Sequence, residues 1–134
     1  MKTLALDLGD AWVGTALSDE LGITARPYRT IKANELDSFL QTVIPQEQIE
    51  TIVIGYPITM RGTESAQTKK IVAEKERLET LFPTIQFKLF DERLSSKQAS
   101  TIKKATTKEA KIASHSLAAA VVLTTYLMFA SQNS

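Results

Sequence analysis

The stretch TLALDLGDAWVGTALSD at residues 3–19 decides the fold. Thr3 to Leu8 is a short, mostly apolar run stopped by Gly9, as expected of a buried strand. Trp12 to Leu17 is a second such run, interrupted by Gly14 and closed by Ser18-Asp19. The link Gly9-Asp10-Ala11 is short enough for a hairpin, with Gly9 free to take positive φ. An acid, Asp7, therefore stands at the end of the first strand, where a glycine lets another backbone or a substrate come close.

Working outward, Thr24 to Ile31 reads as a third strand, placed at an edge because Pro27 has no ladder donor. Three consecutive strands form an antiparallel meander. Asn34 is positioned to cap a helix from about Glu35 to Val43, with Leu36, Phe39, Leu40 and Val43 on one face and Pro45 limiting its length. Thr51-Ile52-Val53-Ile54 has the continuous β-branched character of a central strand covered on both faces. A helix over about Glu64 to Leu81, a strand over Ile85 to Phe90, a short helix from Ser95 or Ser96 to Lys104, and a last helix over Lys108 to Phe129 complete the chain.

This order predicts one α/β domain spanning residues 1–134, without linker or repeat. Its sheet has five strands, the antiparallel meander followed by parallel strands joined through helices. The ribonuclease H-like fold has this arrangement.

The 134 residues, 43% of them hydrophobic, suffice for one core. Lack of cysteine excludes a disulfide framework and a thiolate metal site. Met1-Lys2-Thr3 runs into a strand rather than a signal peptide, and the apolar stretch from Leu117 to Ala130 is shorter than a membrane span. A cytoplasmic protein with no membrane partner is expected. Net charge is only +1, but Arg93 to Lys111 holds six cations (Arg93, Lys97, Lys103, Lys104, Lys108, Lys111) against one acid, Glu109. Such a segment suits a polyanionic substrate, and equally a solvated helix face.

Four places could carry chemistry. Asp7 could ligate Mg²⁺ or Mn²⁺, or bond its own backbone in a turn. Asp91-Glu92-Arg93 ends an apolar strand, where adjacent acids need a cationic partner. Neighbours in a strand point to opposite faces, so one acid faces a site while the other caps a helix or pairs with Arg93. His115, the single histidine, stands near the start of the last helix. It is either a packed boundary residue or an imidazole that the helix N-terminus keeps neutral, able to ligate a metal or accept a proton. The loop from Gly55 to Thr63 leads into a helix and carries Arg61, a combination suited to phosphate, but it lacks the Gly-Lys-Ser/Thr ending of a P-loop. Trp12 and Tyr56 could stack on bases or simply pack.

Five segments together resemble the bacterial YqgF proteins, also called RuvX: LALDLGDAWVGTALSD at 4–19, TARPYRTI at 24–31, VIGYPITMRGTESAQT at 53–68, FDERLSSKQA at 90–99 and SHSLAAAVVLTTYL at 114–127. They fall in the family's order and span nearly the whole chain. The resemblance implies a ribonuclease H-like nuclease, dependent on Mg²⁺ or Mn²⁺. It would act on structured nucleic acid: the 5′ end of the small-subunit ribosomal RNA precursor within ribosomal precursor particles, or branched DNA as in a Holliday junction resolvase. A nucleic-acid- or ribosome-binding module with a weakened site is the rival from another class.

By the resemblance, Asp7 matches the family's first-strand metal aspartate and Glu92 the acid of its Asp-Glu-Arg motif. His115 stands where the family usually has an aspartate, and Trp12 where it usually has a basic residue. Asp7, Glu92 and His115 are thus the expected catalytic and metal-binding set. Arg61, Arg93, Lys97, Lys103 and Lys104 are expected on the phosphate backbone. The chain is expected to act as a monomer or weak homodimer.

Overall fold

The computed structural model describes residues 2–9, 11–56, 66–91 and 108–132. Strands β1 (Lys2–Leu8), β2 (Trp12–Ser18) and β3 (Ala25–Lys32) come first. A 3₁₀ turn (Ala33–Glu35) and α1 (Leu36–Glu47) follow, then β4 (Ile49–Tyr56), α2 (Ala66–Leu81), β5 (Gln86–Asp91) and α3 (Lys108–Gln132). The sheet order is β3-β2-β1-β4-β5. The first three strands are antiparallel, while β4 and β5 run parallel to β1. The expected five-stranded mixed sheet is present, with β3 at the edge.

The two faces of the sheet are packed differently because alternate residues of each strand point to opposite sides. Leu4, Leu6, Val13, Leu17, Ile52 and Ile54 point to one side, where large aliphatic groups of α1 and α2 such as Leu40 and Leu78 complete the main core. On the other side Ala5 and Ala16 meet Ala119, Ala120, Leu123 and Leu127 of α3. Small side chains on both surfaces let α3 lie close to β1 and β2, which brings its backbone within reach of the strand ends. No described helix is long and apolar enough to cross a membrane.

Several local expectations are corrected. Asn34 does not cap α1; the chain first makes the 3₁₀ turn, and Glu35 accepts the Lys32 N–H through Oε1 at 3.2 Å. Pro45 does not limit α1 but lies inside its last turn. Its missing N–H leaves the Gln41 carbonyl without a helical donor, which an exposed position tolerates because water can take its place. The helix ends instead at Gln48, whose φ of 55° is left-handed. The helix expected through Lys104 lies outside the described residues.

The β2–β3 pairing carries a bulge between Gly14 and Ala16. Buried Thr15 fills it: its hydroxyl donates to the Arg29 carbonyl at 2.6 Å and accepts the Arg29 N–H at 2.9 Å. A side chain thus supplies both partners that the broken ladder lacks.

Candidate active site

Asp7 lies one residue from the end of β1 and pairs across the ladder with Gly14 of β2. It shares the parity of Ala5, which packs against α3, so its carboxylate points to the α3 side. The hairpin that ends β1 is tight. Gly9 N–H donates to the Trp12 carbonyl at 3.0 Å, and a Cβ on Gly9 would lie 2.6 Å from that same oxygen. Gly9 is therefore required for space; contrary to the sequence expectation, its φ is not positive.

Gly14 sets the position of α3. A Cβ there would lie 1.9 Å from the His115 carbonyl oxygen and 2.7 Å from the Ser116 nitrogen, so only glycine lets the helix backbone rest on β2 at this point. With α3 seated there, His115 faces Asp7. Nδ1 lies 3.9 Å from Asp7 Oδ2, with 34% and 22% of the two side chains exposed. That separation is too long for a hydrogen bond and suits two facing charges. The Asp7 carboxylate raises the His115 pKa above its ordinary value, against the opposing effect of partial burial.

This reverses one expectation. The helix N-terminus does not keep His115 neutral, because His115 stands two turns into α3 and the dipole acts within the first turn. Asp7 lies within β1, and among the described residues it does not play the part of a turn aspartate. That role belongs to Asp19, whose Oδ1 accepts the N–H groups of Ile23 at 2.8 Å and Thr24 at 3.3 Å.

The structure thus brings together two of the three expected site residues. Asp91 ends β5, paired with Tyr56 of β4, as the sequence predicts. Glu92, Arg61, Arg93, Lys97, Lys103 and Lys104 lie outside the described residues. No cluster of three or more metal-ligating groups occurs among the described residues. The donor set fits a divalent ion as a half-site: the Asp7 carboxylate suits Mg²⁺ or Mn²⁺, and the imidazole favours the latter. Sequence reading registered Gly14 only as a break in a strand. A glycine inside a strand also signals a close backbone approach, and that signal would have found it.

The RuvX family model, described as a Holliday junction resolvase, matches residues 1–128. A protein of Carboxydothermus hydrogenoformans named "Putative pre-16S rRNA nuclease" is 35% identical, over 99% of this chain and 100% of its own. One of the same name from Geobacillus kaustophilus is 37% identical, over 95% of this chain and 97% of its own. Among solved structures, Thermus thermophilus RuvC superposes with a TM-score of 0.64 over 99% of this chain and 97% of its own, at 14% identity. That likeness shows the ribonuclease H-like fold. With the family model covering nearly the whole sequence, the chain belongs to the RuvX family.

Proposed function

We propose that this chain is a divalent-metal-dependent phosphodiester hydrolase that trims the 5′ end of precursor 16S ribosomal RNA. The observation that carries the proposal is the convergence of Asp7 and His115 at the end of β1, fixed by the seat of α3 on Gly14. The names of the relatives supply the RNA, and the family description supplies four-way DNA as a second substrate to be compared directly.

Asp7, with Glu92 just beyond β5, would hold Mg²⁺ or Mn²⁺, and His115 would serve either as a further ligand through its neutral imidazole or as a proton shuttle. When bound, such an ion polarises the scissile phosphate and supplies a nucleophilic water at neutral pH. Hydrolysis joins the water oxygen to phosphorus, breaks one P–O bond and leaves a sugar oxygen that needs a proton. His115 is suited to hold that proton at a ring nitrogen and deliver it, since Asp7 favours its charged form. The two side chains are partly buried, with 34% and 22% of their surfaces exposed. Cations after β5 would hold the phosphate backbone without reading bases.

The test is a cleavage assay on a precursor 16S 5′ end and on a four-way DNA junction, with Mg²⁺ and Mn²⁺ in parallel. Specific, metal-dependent RNA products support the proposal. Cleavage of the junction with none of the RNA would move the substrate to DNA. Cleavage of neither would refute it.

A further inference from the structure

Away from the Asp7 site, the outer edge of the sheet carries charge that the sequence expectations did not single out. Strand β3, ARPYRTIK, holds Arg26, Arg29 and Lys32 and no acid. All three cations are exposed. Arg26 acts on Glu47 by its charge. The acids of the neighbouring helix are already engaged. Asp37 takes both guanidinium nitrogens of Arg77 at 2.8 Å, and Glu47 takes Lys2 at 2.8 Å. Both carboxylates are held below their ordinary range, first by those hydrogen bonds. Glu35, which also lines the groove between this strand and α1, accepts the Lys32 backbone N–H. At the other end of the strand, Asp19 and Glu20 share a cavity wall with Arg26. Cations therefore outnumber acids at the Arg29–Lys32 end of the edge, where Glu35 is the one carboxylate among the described residues.

Beside it, a groove of about 390 Å³ runs between β3 and α1. Its floor includes Tyr28, Ile31 and Phe39, and Asn34 and Ser38 supply hydrogen-bonding groups at the rim. The Tyr28 and Phe39 rings stand 6.1 Å apart, and the Arg29 guanidinium lies 5.6 Å from the Tyr28 ring centre. Apolar rings, amide and hydroxyl groups, and the exposed cations Arg29 and Lys32 at its side suit a base with its phosphate better than a purely apolar or purely acidic ligand, although Glu35 also lines the groove.

The edge also has a fixed relation to the candidate site. Asp7 pairs with Gly14, and Gly14 with Thr30, in one row across the sheet. Two strand spacings put the Thr30 backbone about 10 Å from that of Asp7. The groove is on the α1 face and the Asp7 carboxylate on the α3 face, so a strand held in the groove would reach the site by passing over the β3 edge.

We infer that the β3 edge and the β3–α1 groove form a binding track for single-stranded nucleic acid, with Arg26, Arg29 and Lys32 on phosphates and Tyr28 against a base. The inference rests on the reading of this chain as a nucleic-acid enzyme, but its test does not depend on cleavage. Fluorescence anisotropy with labelled single-stranded RNA and DNA of one sequence, in EDTA and across a salt series, measures it directly. In the R26Q/R29Q double variant the slope of log affinity against log salt falls by about 1.4, at 0.7 per phosphate contact. Tyr28→Leu keeps an apolar floor but removes the ring; affinity drops about fivefold or more with the slope unchanged.

Thermal melting checks that each variant is folded, and either variant alone suffices to decide. The RNA and DNA arms show which backbone the track prefers. Unchanged affinity and slope in the double variant overturn the inference. So does polyglutamate competing as well as the oligonucleotide, because bare charge would then explain the binding. Cleavage that persists while the edge variants bind normally overturns the track and spares the nuclease. Edge-dependent binding without cleavage does the reverse.

Discussion

Gly14 and His115 are in direct contact through the Gly14 α-carbon and the His115 backbone, with no room for a methyl group between them. The obstacle is backbone on both sides, so it cannot rotate away as a flexible side chain would. Gly14→Ala is predicted to push α3 off β2 and destabilise the protein by about 1–3 kcal/mol, as overpacking does. Cleavage should fall further than stability explains, because His115 moves away from Asp7. Urea denaturation alongside the cleavage assay on folded protein separates the two effects.

The facing of Asp7 and His115 makes stability depend on pH in a defined direction. The folded-state pKa of His115 is raised, with Asp7 as the main cause. The stabilisation is therefore fully present below its unfolded value of about 6.5 and is lost as pH rises through the higher folded value. Without metal, His115→Asn should flatten the stability profile in this window. Denaturation midpoints at pH 5.5 and 8.5 in EDTA measure the difference, and a wild-type profile equally flat would rule out the coupling.

His115→Asp should act on stability and activity in opposite senses. It places two carboxylates face to face, so the metal-free protein loses stability through like-charge repulsion. It also replaces a nitrogen donor with oxygen and adds a negative charge, which suits Mg²⁺. Mg²⁺-dependent cleavage is predicted to rise relative to the Mn²⁺-dependent rate. A fall with both ions would instead show that the imidazole itself is needed for proton transfer.

Arg77 joins α2 to α1 by gripping Asp37 with two nitrogens while also bonding Glu74 of its own helix. Both side chains of the interhelical pair are over two-fifths exposed, so solvent screening limits its worth to roughly 0.2–1 kcal/mol. The Asp37 pKa is lowered, chiefly by the Arg77 hydrogen bonds. Its contribution is present above the ordinary carboxylate value and is lost as pH falls through the lower folded one. Arg77→Lys should remove most of it at neutral pH and little at pH 2, read as a difference in urea midpoint.

The strands were legible because the period-two pattern and glycine stops report local physics. Asp7 at the end of β1 and Asp91 at the end of β5 follow from that pattern alone. What pairs with Asp7 was not legible, since the contact joins the first hairpin to the last helix and depends on a glycine whose meaning is the absence of a side chain. The influence on His115 was hidden for a related reason: its depth in α3 and its facing of Asp7 both outweigh its apparent nearness to a helix start. Asn34 had the composition of a cap but not the backbone, because the 3₁₀ turn places Glu35 at the junction. The cations of β3 read as ordinary strand residues until α1 was seen to have its acids occupied.

The central claim is that Asp7 and Glu92 are ligands of one metal-dependent phosphodiesterase site, with His115 beside Asp7. The most direct measurement is Mn²⁺-dependent cleavage of the precursor 16S 5′ end by wild type, Asp7→Asn and Glu92→Gln, each confirmed as folded. Losing a direct ligand should reduce the rate about 100-fold or more, at least the upper range seen for outer partners of metal ligands. Wild-type rates in both variants would contradict the account.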